Sequence, residues 1–327
     1  MTGLSDSFQR PINYLRISVT DRCNLRCVYC MPQEGITLMS HYDILSYEEI
    51  YTLVKAAAEL GINKVRLTGG EPLVRAGLPE LVQMLAGIET IDDISLTTNG
   101  ILLAQHAAEL KEAGLQRVNV SLDTLKPDRF KQITRCGNLG DTLKGIEVAG
   151  TVGLTPVKIN VVVMAGVNDD ELPDFAAKTV GDGWHVRFIE HMPVNGDDAK
   201  TINLVSVSDM RKRIESLGKL EPWKVDVGNG PARYFRLPGA KGTIGFITPV
   251  TEHFCYQCNR LRLTADGKLR LCLLNEDEID LREPLRSGAS VEELKNLIEK
   301  ATAKKPQGHR LSEGNRHQGR PFSQVGG

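Results

Sequence analysis

The chain carries almost no net charge: 40 lysines and arginines face 41 aspartates and glutamates, leaving −1. That excludes a general electrostatic attraction to nucleic acid or to an anionic membrane. Any anion site has to be assembled locally from a few converging cations. Long apolar runs are missing as well, and no stretch approaches a transmembrane helix. The opening residues MTGLSDSFQR lack the apolar core of a secretory signal. The expectation is a cytoplasmic protein whose thiols stay reduced and free to bind metal. The cysteine count is seven, an odd number that suits no closed disulfide framework. Six of the seven form two triplets: Cys23, Cys27 and Cys30, then Cys255, Cys258 and Cys272. Structural zinc sites usually close with four protein ligands, and iron–sulfur clusters usually take four thiolates. Two sets of three therefore point to two metal centres, each keeping one position open for a cofactor or a substrate. Cys136 is left over and reads as an ordinary free thiol.

With 327 residues, one large α/β domain plus an appendage is expected. Strand-like segments at 15–20, 64–69, 93–99, 117–123, 156–163 and 185–191 alternate with helical spacings such as Ile50, Leu53, Val54 and Ala57. Repeated strand–helix units imply parallel strands with right-handed crossovers. The fold class expected is an incomplete (β/α)6-type TIM-like barrel with a C-terminal extension. Its divisions would be 1–200 for the barrel, 201–312 for the extension and 313–327 for a tail. Each strand alternates in polarity: Leu15 and Ile17 against Arg16 and Ser18, Val65 and Leu67 against Lys64, Arg66 and Thr68, Val186 and Phe188 against His185 and Arg187. An ordinary barrel fills its interior with branched apolar side chains. Here one face packs on helices and the other lines a polar, partly cationic interior. An antiparallel sheet with one solvated face would alternate too, but the intervening helical segments favour crossovers. From Pro306 onward the composition is polar and glycine-rich, which reads as a loose tail.

The first triplet, C-x3-C-x2-C, directly follows the first strand, where the sites of barrel folds collect. TGGEPLVR directly follows the second. Together CNLRCVYC and GGEP resemble the signature of the radical S-adenosylmethionine (SAM) enzymes. The resemblance implies a 4Fe–4S cluster on Cys23, Cys27 and Cys30, with a bare iron that chelates SAM. It also implies SAM contacts from Tyr29, Gly70, Ser121 and Met192. The protein's part in such chemistry is to bind, orient and exclude water.

Alone, the second triplet, C-x2-C-x13-C, is compatible with three-quarters of a zinc ribbon. Its surroundings, HFCYQCNRLRLTADGKLRLCL, together with NYLRISVTDRCNLRCVYCMP, VRLTGGEPLVR, LTTNG, NVSLDTL, RFIEHMPV and a terminal Gly-Gly, resemble one branch of that family over nearly the whole chain. That branch cyclises GTP at the start of molybdenum cofactor biosynthesis. The resemblance implies a second 4Fe–4S cluster on Cys255, Cys258 and Cys272. It implies GTP contacts from Arg16, Arg66, Thr97, Lys158, Arg260, Leu261 and Arg262. Lys64 and Arg187 join that set by strand parity, and Arg187 is a candidate catalytic residue. Gly326 and Gly327 would reach into the active site and assist catalysis. The expected partners are GTP, a low-potential electron donor, the downstream cyclic pyranopterin monophosphate synthase and a second copy in a homodimer. Neither nucleic acid nor membrane is expected. A radical SAM maturase that modifies peptides is the alternative enzyme, though its auxiliary clusters generally need more cysteines. A zinc-binding nucleic-acid module would need a basic domain.

Overall fold

The structure is a computed structural model, and it describes residues 3–192, 204–224, 230–309 and 320–326. One sheet organises them. Its strands are β1 (Tyr14–Ser18), β2 (Lys64–Thr68), β3 (Asp93–Thr98), β4 (Arg117–Ser121), β5 (Lys158–Val163), β6 (His185–Glu190), β7 (Glu221–Pro222), β8 (Arg233–Arg236), β9 (Thr243–Ile247), β10 (Arg260–Leu263), β11 (Lys268–Arg270) and β12 (Glu278–Asp280). The order is β12-β11-β10-β1-β2-β3-β4-β5-β6-β9-β8-β7. From β10 through β1–β6 to β9 every neighbouring pair is parallel. The outer pairs at both ends are antiparallel.

The six strands expected from the sequence are all present, each within two residues of its anticipated ends. What the sequence did not reveal is where the C-terminal part goes. Rather than forming a separate appendage, β9 extends the sheet beyond β6, and β10 extends it beyond β1. The parallel core thus has two more strands than the six repeated units supply.

Helices at Tyr47–Glu59, Leu78–Ala86, Leu103–Glu112, Leu139–Thr151 and Leu172–Gly181 follow β1–β5 in turn. Capping starts two of the helices firmly: Ser46 with Glu49, and Ser290 with Glu293 at Val291–Thr302, form reciprocal capping boxes. The apolar strand faces (Leu15, Ile17, Val65, Leu67, Ile94, Leu96, Val118, Val120, Ile159, Val161, Val186 and Phe188) belong to one core cluster with the helices' apolar stripes. That is the hydrophobic driving force of the fold, and it leaves the opposite strand faces to the interior. No helix among the described residues is long and apolar enough to cross a membrane.

Candidate active site

The polar strand faces converge on one cavity of about 360 Å³, on the scale of small-ligand sites. All six triplet cysteines line it, together with Tyr29, Gly70, Ser121 and Met192, and with Arg16, Arg66, Thr97, Lys158, Arg187, Arg260 and Arg262. Residues at 23–30 and at 255–272 thus share one space.

Parallel pairing explains the concentration of charge. In register, Arg262 of β10 stands beside Arg16 of β1, and Arg16 beside Arg66 of β2. Like charges on neighbouring strands repel, and burial intensifies the effect. Burial and its arginine neighbours, Arg262 first, hold the Arg16 guanidinium well below its ordinary range. Burial first, then Arg260, pulls Arg262 down to about 10. Lys158 falls to about 7 through burial and the charges of Arg187, Arg117 and Arg66. The Nε atoms of Arg66 and Arg187 are buried with no hydrogen-bond partner. Such a cluster costs folding energy until an anion enters it, and arginine forks suit phosphate oxygens.

The loops after β1 and β2 are held by buried carboxylates. Glu71 accepts from Thr98 Oγ1 at 2.7 Å, Asn99 N at 2.7 Å and Leu73 N at 3.1 Å. Burial still pushes its carboxyl up to about 7. Tyr29 Oη donates to Asp123 Oδ2 at 2.8 Å, and Val162 N donates to the other oxygen at 2.8 Å. Gly70 lies where a Cβ would come within 2.3 Å of the Arg22 carbonyl oxygen, so only glycine fits there.

The triplets differ electrostatically. Burial raises the Cys23 thiol to about 11 and Cys30 to about 12. Burial also acts on Cys258, but Arg260 and Lys305 outweigh it and bring that thiol down to about 6. Among the described residues no three His, Cys, Asp or Glu side chains are placed to hold a single metal ion. A cubane cluster sets no such requirement, because each thiolate binds its own iron. Three thiols per set in one cavity fit two such clusters.

Some expectations need correction. Leu261 is 1% exposed and packs in the apolar core, so its side chain does not face the cavity. Lys64 shares strand parity with Arg66 but sits at the start of β2, outside the lining. Cys136 is a free thiol, as expected, and its Sγ donates to the Asn24 carbonyl at 3.4 Å. The tail from Pro306 is not loose where it is described. Phe322 and Ser323 line the cavity, and the Gly326 carbonyl accepts from Arg262 Nη1. Gly327 lies outside the described residues.

Several lining residues escaped the sequence reading. Tyr14 and Arg117 share the polar parity of their strands, which was signal enough. Arg117 pairs with Asp93. Tyr234 on β8 gave no local sign.

Two family models match in tandem: the radical SAM superfamily over residues 17–178, and Molybdenum Cofactor Synthesis C over 184–311. Curated relatives named GTP 3′,8-cyclase match end to end. The one from Pelotomaculum thermopropionicum is 54% identical over 99% of this chain and 100% of its own length. That from Moorella thermoacetica is 53% identical over 99% and 100%. The chain belongs to the GTP 3′,8-cyclase family. Among solved structures, Streptococcus suis SuiB bound to S-adenosylmethionine superposes with a TM-score of 0.62 at 14% identity, covering 92% of this chain and 73% of that one. That likeness concerns the fold alone.

Proposed function

We propose that the chain is a radical SAM enzyme that converts GTP to (8S)-3′,8-cyclo-7,8-dihydroguanosine 5′-triphosphate, the first step of molybdenum cofactor biosynthesis. The observation that carries this reading is the single cavity lined by both cysteine triplets and by a register row of arginines. An incomplete six-unit barrel, completed at its edges by β9 and β10, accounts for strands as distant as β10 and β6 facing one space. In this division residues 1–200 form the barrel, which would hold SAM and supply cations for the triphosphate, 201–312 form the extension with the second triplet, and 313–327 form the tail.

Cys23, Cys27 and Cys30 would hold a 4Fe–4S cluster that, with SAM, supplies one-electron chemistry for removing a hydrogen atom from C3′ of the ribose. Cys255, Cys258 and Cys272 would hold a second cluster at the guanine end. The chain's own residues do the rest. Arg16, Arg66, Lys158, Arg187, Arg260 and Arg262 bind the triphosphate and exchange mutual repulsion for charge-assisted hydrogen bonds. Asp123 fixes the Tyr29 hydroxyl and so orients the ring that would contact SAM. Glu71 locks the GGEP turn onto the end of β3, and Gly70 lets that turn lie against the cysteine loop. Phe322 and Val325, packed on Cys30 and Met192, exclude water from the first triplet. With substrate held at both ends, the C3′ radical closes onto C8 of the guanine, and one electron from the donor with one proton completes the 7,8-dihydro ring. A low-potential electron donor and a cyclic pyranopterin monophosphate synthase that takes the product are the partners this chemistry needs; a homodimer is the family expectation.

The test is anaerobic turnover of reduced, cluster-loaded protein with SAM and GTP deuterated at C3′. Deuterium should appear in 5′-deoxyadenosine. SAM consumption with the label retained in GTP would refute the assignment.

A further inference from the structure

Two buried cations outside the cavity lining stand behind the second triplet. Arg10 is 5% exposed and Lys305 is 3% exposed. Arg10 Nη1 donates to the carbonyl of Cys255 at 2.6 Å and to that of Gln307 at 2.8 Å, and its Nη2 donates to Pro306 O at 2.6 Å. Asp6 holds the Nε side at 2.5 Å. Lys305 Nζ donates to the Arg260 carbonyl at 2.8 Å and also to that of Leu271, the residue before Cys272. The intervening Gly308 packs against Cys255, with room for a Cβ only at 3.5 Å from that side chain. The segment after the last long helix and the segment before β1 therefore meet on the backbone that carries the second set of thiols.

The arrangement has two physical consequences. Carbonyls at both ends of the triplet are tied to rigid, buried donors, which fixes the spacing of Cys255 and Cys272 before any metal arrives. The charges also matter. Arg10 has its carboxylate, but among the described residues no carboxylate lies within ion-pair distance of Lys305. Carbonyl dipoles satisfy its protons without cancelling its charge. A buried cation without a carboxylate partner favours negative charge beside it, and reduction of an iron–sulfur cluster adds one negative charge. Net charge around a cluster sets its potential.

We infer that Arg10 and Lys305 are positioning residues for the second cysteine triplet, clamping its backbone and stabilising the reduced state of the cluster it holds. This rests on reading Cys255, Cys258 and Cys272 as cluster ligands.

The test uses the full chain, reconstituted anaerobically, with iron and sulfide counted and both reduction potentials measured by redox titration followed by electron paramagnetic resonance. The signal perturbed by GTP reports the second cluster, and the signal perturbed by SAM reports the first. Glutamine keeps N–H donors but removes the charge. Lys305→Gln and Arg10→Gln should each retain about eight irons per chain, lower the potential of the GTP-sensitive cluster and leave the SAM-sensitive one unmoved. Lys305→Arg should restore the wild-type potential. Lys305→Met, without donors, should fall toward about four irons per chain while the first cluster's signal persists. If one glutamine variant does not fold, the other carries the same comparison. Wild type with about eight irons, and glutamine variants whose two potentials stay put or move together, would overturn the inference alone. Wild type with only about four irons and no GTP-sensitive signal would overturn the cluster reading and the inference with it.

Discussion

Lys158 shows how a single residue connects fold and ligand. In the free protein its ammonium is brought to about 7 by burial and by Arg187, Arg117 and Arg66. A triphosphate beside it supplies opposite charge and raises that value again. The sign follows directly. Below pH 7 Lys158 is already protonated, and GTP binds without taking up a proton at this site. Above pH 7 binding must recruit a proton, so affinity falls as pH rises, by at most about tenfold per pH unit from this group. Anaerobic calorimetry at pH 8 in two buffers of different ionisation enthalpy should record more proton uptake in wild type than in Lys158→Met. Equal uptake would remove Lys158 from the phosphate site. Arg66 makes the complementary case. It is 7% exposed, stands beside Arg16 in register, and keeps an unpartnered Nε. Arg66→Met should weaken GTP binding by about 1.5–3 kcal/mol, the usual worth of a hydrogen bond to a charged group. It should not lower the melting temperature of the ligand-free protein, because a repulsion goes with the charge. A destabilised fold with unchanged GTP affinity would mean that Arg66 is structural.

At the scale of elements, two glycines with opposite surroundings make a paired prediction. Gly70 is pressed onto the cysteine loop, where an added Cβ would sit 2.3 Å from Arg22 O and 2.9 Å from Asp21 O. Gly70→Ala must push the turn after β2 off the loop after β1. We expect a loss of about 1–3 kcal/mol in stability, typical of overpacking, and weaker SAM binding by equilibrium dialysis. Gly150, in the helix Leu139–Thr151, has nothing within 4 Å of its added Cβ. Gly150→Ala should stabilise by roughly 0.5–1 kcal/mol through helix propensity alone, with SAM binding unchanged. Thermal melts of both variants check the signs, and matching signs would contradict the packing argument. These elements were readable in the sequence because their determinants are local. Alternation along β1–β6 separated core from cavity correctly at Leu15/Arg16, Val65/Arg66 and Val186/Arg187. Parity failed for Lys64, because it gives the face of a strand but not the height along it.

The whole molecule depends on contacts between distant parts of the chain, and there the sequence is silent. Nothing in Thr243–Ile247 or Arg260–Leu263 announces that the two strands flank opposite edges of the same parallel sheet. Composition likewise made residues after Pro306 a loose tail, since the carbonyls that meet Arg10 are common to every residue type. The family resemblance, not the residue pattern, placed the chain's end near the site. The anchor for that end is visible only in three dimensions. Arg320 donates from Nη1 and Nη2 to Asp266 at 2.9 and 2.7 Å, and its Nε lies 3.0 Å from Glu278. Asp266 lies between β10 and β11 and Glu278 opens β12, so the anchor fastens Phe322–Val325 to the sheet edge that also bears Arg262. Arg320 is about one-quarter exposed and Asp266 about one-tenth, and a pair at that depth, forked and shared with a third group, is worth more than a surface ion pair. Arg320→Met should therefore release the segment: a loss of about 1.5–3 kcal/mol, as for a hydrogen bond to a charged group, is roughly a 12- to 150-fold shift toward the undocked end. Hydrogen exchange at Val325 and Gly326 should accelerate by that factor, while exchange in β1–β6 stays at the wild-type rate. Acceleration spread across the whole sheet would show that Arg320 supports the global fold; unchanged exchange at Val325 would show that the buried contacts of Phe322 and Val325 hold the end in place without it.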